Sequence, residues 1–147
     1  MSIVITGATG QLGGLVIQNL LGKKVPANQI VAVVRNVEKA SALAELGIDF
    51  RHGDYNDQAS LEKAFAGASK LLFIPSPDAH DETLRMAQHT HVVNAAKTAQ
   101  IGHILYYGFA FGEESKLSLA PTHVSTENMI RTANIPYTFL RNSLYQI

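Results

Sequence analysis

The sequence predicts an α/β fold in which a doubly wound parallel sheet carries helices on both faces. Three observations lead to this prediction. Short β-branched, apolar runs alternate along the chain with segments of helical periodicity, which is typical of a parallel sheet with covered faces. The first run, residues 3–6, leads directly into a glycine-rich turn and then an apolar helix pattern. The 147 residues have the length of about one domain, and 46% are hydrophobic, enough to bury a sizeable core.

The glycine-rich turn carries Gly7, Gly10 and Gly13, one every third residue. Residues without a Cβ allow backbone N–H groups and a helix N-terminus to approach a pyrophosphate closely. We interpret the segment as the dinucleotide-binding turn of a Rossmann-type sheet, with Gly13 letting the helix lie close on the strand. The alternative is a strand-to-helix turn without a ligand. Strand, glycines and helix follow one another as the motif requires, which favours the binding turn.

The next elements follow from turn and capping residues. The first helix is expected to stop near Gly22, and residues 29–36 form a second buried strand. Asn36 is placed to cap a helix that runs toward Gly47.

Residues 48–55 alternate as a third, less buried strand. Asn56 or Asp57 can cap a third helix, which ends by Gly67, and residues 70–75 form the fourth strand.

A longer helix ends before Gly102, residues 103–107 form the fifth strand, and residues 108–120 are predicted as a loop. The final elements are a helix capped by Thr122 and running through Ala133, and a sixth strand over residues 137–141.

The residue at the end of the second strand indicates which dinucleotide is bound. A carboxylate there accepts hydrogen bonds from the ribose of NAD, whereas an arginine suits the 2′-phosphate of NADP. This chain has Arg35, whose planar guanidinium fits a phosphate, and the nearest carboxylate is Glu38. The pattern favours NADP(H). The alternative is a surface arginine that pairs with Glu38.

Several segments taken in order carry a resemblance over essentially the whole chain. They are residues 3–13, Val-Arg-Asn at 34–36, Gly-Asp-Tyr at 53–55, Val-Asn-Ala-Ala-Lys at 93–97, His123 with Glu127, and Ile-Pro-Tyr-Thr-Phe-Leu-Arg-Asn at 135–142. Together they resemble the NmrA-like atypical short-chain dehydrogenases, and within these the type 2 NADPH:quinone oxidoreductases.

The resemblance implies NADP(H) as cofactor and quinones as substrates. It also implies a single NAD(P)-binding domain over residues 1–147, because family members continue well beyond Arg141 and build most of their substrate-binding part there. That C-terminal part is expected to be largely absent here. The implied cofactor-binding residues are Gly7, Thr9, Gly10, Gln11, Leu12, Gly13, Arg35, Asp54, Tyr55, Ile74, Pro75 and Ser76.

The expected chemistry depends on a missing pair. Typical short-chain dehydrogenases use Tyr-x-x-x-Lys to move a proton while nicotinamide transfers a hydride, and no tyrosine here has a lysine four residues later. Reduction of a quinone depends less on a positioned proton donor, because aromatisation stabilises the reduced form. The sequence therefore favours direct hydride transfer from bound nicotinamide to a quinone.

Three residues are candidates for the substrate side. His123 is the candidate proton donor, and Glu127, one helical turn later, could orient it. The alternative is that His123 makes only an ordinary helix contact. Tyr106 and Phe109 could border the quinone ring, although core and loop packing is the more ordinary role of aromatic residues at a strand end.

Composition excludes other functions. The net charge is zero, so no basic surface for nucleic acid is expected, and the absence of cysteine excludes thiolate chemistry. His89 and His91 do not share a helix face, so no metal site is expected.

With no signal or membrane-spanning pattern, the expected location is the cytoplasm. The helix around Asn94 could contact a second subunit and form a homodimer.

A non-catalytic alternative remains open from the sequence. The NmrA-like proteins that this chain resembles include binders that report the NADP redox state through a protein partner without turnover.

Overall fold

The computed structural model describes residues 2–8, 11–75, 81–109 and 120–142. The strands are β1 Ile3–Ile5, β2 Ile30–Val34, β3 Asp49–His52, β4 Lys70–Phe73, β5 His103–Phe109 and β6 Tyr137–Asn142. The helices are α1 Gln11–Gly22, α2 Ser41–Glu45, α3 Gln58–Phe65, α4 Glu82–Thr98 and α5 Ala120–Thr132. Two short 3₁₀ helices, Ala27–Gln29 and Val37–Ala40, precede β2 and α2.

The described strands form one parallel sheet in the order β3-β2-β1-β4-β5-β6. The chain therefore builds outward from β1 to β3, crosses over, and builds outward in the other direction from β4 to β6. The order reverses between β1 and β4, and ligands of such sheets bind outside the carboxyl ends of the strands at this point. The predicted α/β, Rossmann-type sheet is confirmed.

Strand residues point alternately to two apolar layers. Val4 belongs to the layer covered by α3, α4 and α5, whereas Ile5 belongs to the layer that contains Ile17 of α1. All five residues of β2 are buried because this strand lies between two neighbours and under both layers. Because the strands are packed on both faces, the loops that follow them leave the sheet at fixed positions.

Two predicted caps are confirmed. The Asn36 side chain accepts a hydrogen bond from the Glu38 amide, although it opens the 3₁₀ helix, and α2 follows as a separate helix. Of the two residues predicted to cap α3, the structure selects Asp57, whose carboxylate accepts from the Ser60 amide. Such caps satisfy amides that have no partner within the helix.

Two predictions around the fifth strand are wrong. β5 continues to Phe109, because pairing with β6 extends to Asn142, so the predicted loop does not begin at residue 108. α5 begins at Ala120, which places Thr122 inside the helix, where its carbonyl accepts from the Thr126 hydroxyl. Thr122 is therefore not the cap. Residues 110–119 lie outside the described residues.

Candidate functional site

The first part of the site is a crevice at the point where the strand order reverses. Thr6 follows β1, and its hydroxyl oxygen accepts a hydrogen bond from the Ile74 amide at 3.0 Å, just beyond β4. Gly7 comes next, with a φ of +65° that favours glycine. A Cβ on Gly7 would lie 3.3 Å from Cγ2 of Ile74. The two strand ends are thus fastened together, and the chain turns sharply away from the sheet between them.

Gly13 brings α1 onto this turn. A Cβ at Gly13 would lie 2.2 Å from the Gly7 carbonyl oxygen and 2.7 Å from Cα of Ala8, distances that no real Cβ tolerates. The absence of a side chain therefore lets the first turn of α1 pack directly on the backbone after β1. This confirms the predicted close approach of helix and strand.

The loop after β3 forms one wall of the crevice. The Asp54 amide donates to the Ser60 hydroxyl at 2.9 Å, and the Asp54 carboxylate accepts from the Asn56 amide at 2.8 Å. The Tyr55 hydroxyl donates to the Ile74 carbonyl oxygen at 2.5 Å. It would also lie 3.7 Å from a Cβ placed on Gly7. Tyr55 thus spans from the end of β3 to the gap between β1 and β4.

The environment of Tyr55 keeps its phenol protonated. Burial raises the pKa of Tyr55 well above its usual value, which outweighs the opposing effects of the Thr6 hydrogen bond and the Arg85 charge. A neutral phenol retains its hydrogen, as donation to the Ile74 carbonyl requires. The side chain is therefore held in a fixed position at the crevice.

Arg35 lies at the same edge of the sheet. It directly follows β2 and is exposed. β2 pairs with β3 in parallel up to Val34 and His52, so Arg35 and Asp54 leave neighbouring strand ends. The ion pairs among the described residues do not include Arg35 with Glu38, which was the alternative to phosphate binding.

A second part of the site is a buried cluster beneath the ends of β4 and β5. The Tyr106 hydroxyl and Nδ1 of His123 are 2.5 Å apart, and both side chains are buried. The rings of Phe73 and His89 pack edge-on against one another, with centroids 4.9 Å apart. His89 Nδ1 lies 2.8 Å from the Thr126 hydroxyl. The cluster joins α4, α5 and β5.

Burial keeps this cluster uncharged at its two histidines. It lowers the pKa of His123 to about 4 and that of His89 to about 3, and the nearby Arg85 charge acts in the same direction. Burial also raises the pKa of Tyr106. At neutral pH the Tyr106 and His123 pair therefore consists of a phenol and a neutral imidazole.

The structure brings together part of the predicted site. Gly7, Gly13, Tyr55 and Ile74 meet in the crevice, with the half-buried Pro75 following Ile74. Thr9, Gly10 and Ser76 lie outside the described residues. The backbones of Gln11 and Leu12 form the start of α1, and their side chains lie outside the description.

The substrate-side predictions fare differently. Tyr106 is fully buried among Phe73, His89, His123 and Phe139, so core packing is the interpretation that its position favours. Phe109 is placed only by its backbone, at the end of β5. The predicted orientation of His123 by Glu127 stays a prediction. The partner of the histidine Nδ1 in the structure is Tyr106, and Glu127 lies 3.7 Å from Arg131.

Sequence reasoning missed the contribution of α4. Arg85, Gln88 and His89 are buried on this helix, and their charges or hydrogen bonds reach the crevice wall or the Tyr106 cluster. Their three- and four-residue spacing is a helical signal, but in a sequence it suggests a solvated face. Among the described residues no cluster of metal-binding side chains occurs, and no helix is long and apolar enough to cross a membrane.

Comparison with known proteins agrees with this geometry. Quinone oxidoreductase 2 of Escherichia coli strain K12 is 49% identical over 143 residues, which cover 97% of this chain and 49% of that protein. Its crystal structure with NADPH superposes with a TM-score of 0.89 and covers 95% of this chain and 48% of that chain. The Citrobacter sp. triphenylmethane reductase complexed with NADP(H) is 62% identical, with a TM-score of 0.94, over 98% of this chain and 50% of that chain.

The chain thus spans about half the length of these relatives. The family description matches residues 1–146, nearly the whole chain. This chain belongs to the NmrA-like family.

Proposed function

We propose that this chain is the dinucleotide-binding part of an NADPH-dependent reductase that acts on quinones. The observation that carries the proposal is the Gly7 to Gly13 turn, which packs against itself at the point where the strand order reverses. The relatives with bound NADP(H) or NADPH share this fold at 49% identity or more. The proposal covers residues 1–147 as a single cofactor-binding domain.

We propose that a dinucleotide binds in the crevice. Gly13 lets the first turn of α1 pack on the backbone at Gly7 and Ala8, so the amino end of this helix lies beside the turn, where its amides would hold a pyrophosphate. Arg35 would bind the 2′-phosphate, and Asp54 and Tyr55 would lie near the adenine. Ile74, Pro75 and Ser76 would adjoin the nicotinamide ribose, and Thr9, Gly10, Gln11 and Leu12 would complete the turn.

Quinone reduction consumes NADPH, a proton and the quinone, and yields NADP⁺ and the hydroquinone. The described residues favour a weak proton donor over a strong one. With its pKa at about 4, His123 carries no net charge at pH 7, and Tyr106 occupies its Nδ1. We propose that His123, held by Tyr106, serves at most as a neutral hydrogen-bond donor through Nε2, and that solvent supplies the proton.

A second acceptor class is favoured by the similarity to the triphenylmethane reductase, at 62% identity. A cationic triphenylmethane dye takes up a hydride at its central carbon and becomes neutral without needing a proton. Such a reaction suits a site whose histidine is buried and uncharged. The competing, non-catalytic proposal is a sensor that binds NADP(H) and reports its redox state to a protein partner.

The decisive measurement is the loss of NADPH absorbance at 340 nm with a simple benzoquinone, corrected for the uncatalysed reaction and repeated with NADH. We expect catalysed loss that favours NADPH. A parallel assay with a triphenylmethane dye follows bleaching of its colour. Tight NADPH binding without turnover of either acceptor would contradict turnover by residues 1–147, and a contact with a protein partner that depends on the cofactor would then favour the sensor.

The role of Arg35 is tested in the same assay. Replacing Arg35→Asp removes the phosphate-binding cation and adds repulsion, so the preference for NADPH over NADH should fall about 100-fold. Lys23→Asp makes the same change of charge at the far end of α1 and should leave the preference intact. Equal effects of the two variants would show a general effect of charge.

Location in the cytoplasm and assembly as a homodimer stay proposals.

A further inference from the structure

The wall of the crevice that carries Tyr55 is attached to α4 by polar side chains of that helix. Gln88, His91 and Asn94 occur at intervals of three residues on α4, and each makes a hydrogen bond to the segment from Tyr55 to Gln58. We call these three residues the α4 clamp. Helices of such sheets pack mainly through apolar side chains, so three successive polar contacts to one short segment need an explanation.

The central contact of the clamp is made by His91. Its Nδ1 lies 2.6 Å from the main-chain carbonyl oxygen of Tyr55. A carbonyl oxygen only accepts, so Nδ1 carries the hydrogen and donates it. The bond acts on the backbone of the residue whose side chain reaches the gap between β1 and β4.

The outer contacts hold the residues that follow. Gln88 Nε2 donates to Asn56 Oδ1 at 3.1 Å, and Asn94 Nδ2 donates to Gln58 Oε1 at 3.2 Å. Gln58 opens α3, so the clamp joins the start of α3 to the middle of α4.

Tyr55 is therefore held at two points. Its carbonyl accepts from His91 of α4, and its hydroxyl donates to the carbonyl of Ile74 after β4. Two fixed points determine both the position of the backbone and the direction of the ring. Tyr55 lies next to Gly7, where the proposed function places the cofactor.

We propose that His91 is a positioning residue for the dinucleotide, which sets affinity for the adenosine half by holding the loop of Asp54 and Tyr55 against α4. The proposal rests on the proposed function for the identity of the ligand. A binding site that is populated only part of the time binds its ligand more weakly by that fraction. Loss of the His91 bond should therefore appear as weaker binding without a change in the chemistry of the turn.

The test compares His91→Leu with His91→Asn in the full chain. Asparagine keeps an N–H donor near the position of the histidine Nδ1, whereas leucine has none. We expect His91→Leu to raise the dissociation constants of NADPH and of adenosine 2′,5′-bisphosphate about fivefold, measured by calorimetry. His91→Asn should restore most of the affinity. Nicotinamide mononucleotide, which lacks the adenosine half, should bind all forms equally.

A matched control is His103→Leu, because His103 begins β5, at the amino end of the strand and opposite the carboxyl ends that form the crevice, and contacts Thr138. It should leave all dissociation constants unchanged. Equal affinities of wild type and His91→Leu for NADPH would overturn the proposal, as would a loss that His91→Asn does not rescue.

Amide hydrogen exchange separates this proposal from the proposed function. Without any ligand, His91→Leu should speed exchange at the amides of residues 54–60, and His103→Leu should not. Unchanged exchange in His91→Leu would overturn the clamp. A wild-type chain that binds no NADPH would overturn the proposed function and the role in affinity, and exchange would then still decide whether the clamp holds the loop.

Discussion

Two neighbouring glycines of α1 have opposite roles. Gly13 faces the backbone after β1, and an added Cβ would lie 2.2 Å from the Gly7 carbonyl oxygen. Apart from its own stretch of α1, the described residues bring no atom within 4 Å of the place where a Cβ of Gly14 would be. Glycine is thus required at position 13 and dispensable at position 14. Substitution by alanine is therefore expected to change the free energy of unfolding in opposite directions at the two positions.

Gly13→Ala should destabilise the chain by about 2–3 kcal/mol, because helix and turn must move apart to admit the methyl group. Gly14→Ala should stabilise it by about 0.5–1 kcal/mol, because alanine loses less backbone entropy in a helix than glycine does. Urea unfolding followed by circular dichroism measures both. Similar changes for the two variants would contradict the close packing of α1 on the turn.

Single residues also show where sequence reasoning was sufficient. The motif identified Gly7 and Gly13 because a turn without side chains has a recognisable spacing. It could not reveal that Tyr106 is fully buried and bonded to His123, since 17 positions separate them. That contact exists only because β5 and α5 pack together.

At the scale of elements, α4, α5 and β5 share a buried polar seam. His89 of α4 lies against Thr126 of α5, and His123 of α5 lies against Tyr106 of β5. The Thr126 hydroxyl donates to the Thr122 carbonyl, so the hydrogen between His89 and Thr126 belongs to the histidine. Burial lowers the pKa of both histidines, so they are neutral at neutral pH.

The two buried histidines of the seam make the free energy of unfolding dependent on pH. The pKa values of His89 and His123 fall from 6.5 to about 3 and about 4 on folding. Between pH 6.5 and 4 the unfolded chain therefore binds more protons than the folded chain, and the free energy of unfolding should fall as the pH falls. Each histidine contributes a slope of up to about 1.4 kcal/mol per pH unit, measured by urea unfolding from pH 7 to 4.

His123→Gln should reduce this slope because it removes one of the two titrating groups. His103→Gln, outside the seam, serves as the control and should keep the slope of the wild type. The comparison uses slopes rather than absolute stabilities, since His123→Gln also changes the bond to Tyr106. An undiminished slope in His123→Gln would contradict the inference that protonation of His123 causes part of the pH dependence of stability.

At the scale of the whole molecule, the described residues form a sheet with its own two apolar layers and a crevice at the centre. The chain spans about half the length of the relatives that it matches. The site residues come from the loops after β1, β2, β3 and β4 and from the start of α1, all inside this half. Binding of the cofactor is therefore expected of the chain by itself.

NADPH at 100 times its dissociation constant should raise the free energy of unfolding by about 2.7 kcal/mol, because the ligand binds only the folded chain. NADH at the same concentration should raise it less, since it lacks the 2′-phosphate that Arg35 is proposed to bind. Thermal and urea unfolding with each dinucleotide measure the difference. Equal stabilisation by both would contradict the proposed selectivity.

The sequence by itself determined the order of strands and helices, the parallel sheet and the glycine turn, because periodicity and spacing are local properties of the chain. The resemblance of its motifs indicated the family. It misplaced the start of α5 and the end of β5, because pairing with β6 and packing of the helix decide those limits. Only the tertiary structure decided that His91 holds the Tyr55 carbonyl and that Tyr106 meets His123. Those bonds join residues distant in the chain, and helix packing across the sheet brings them within hydrogen-bonding distance.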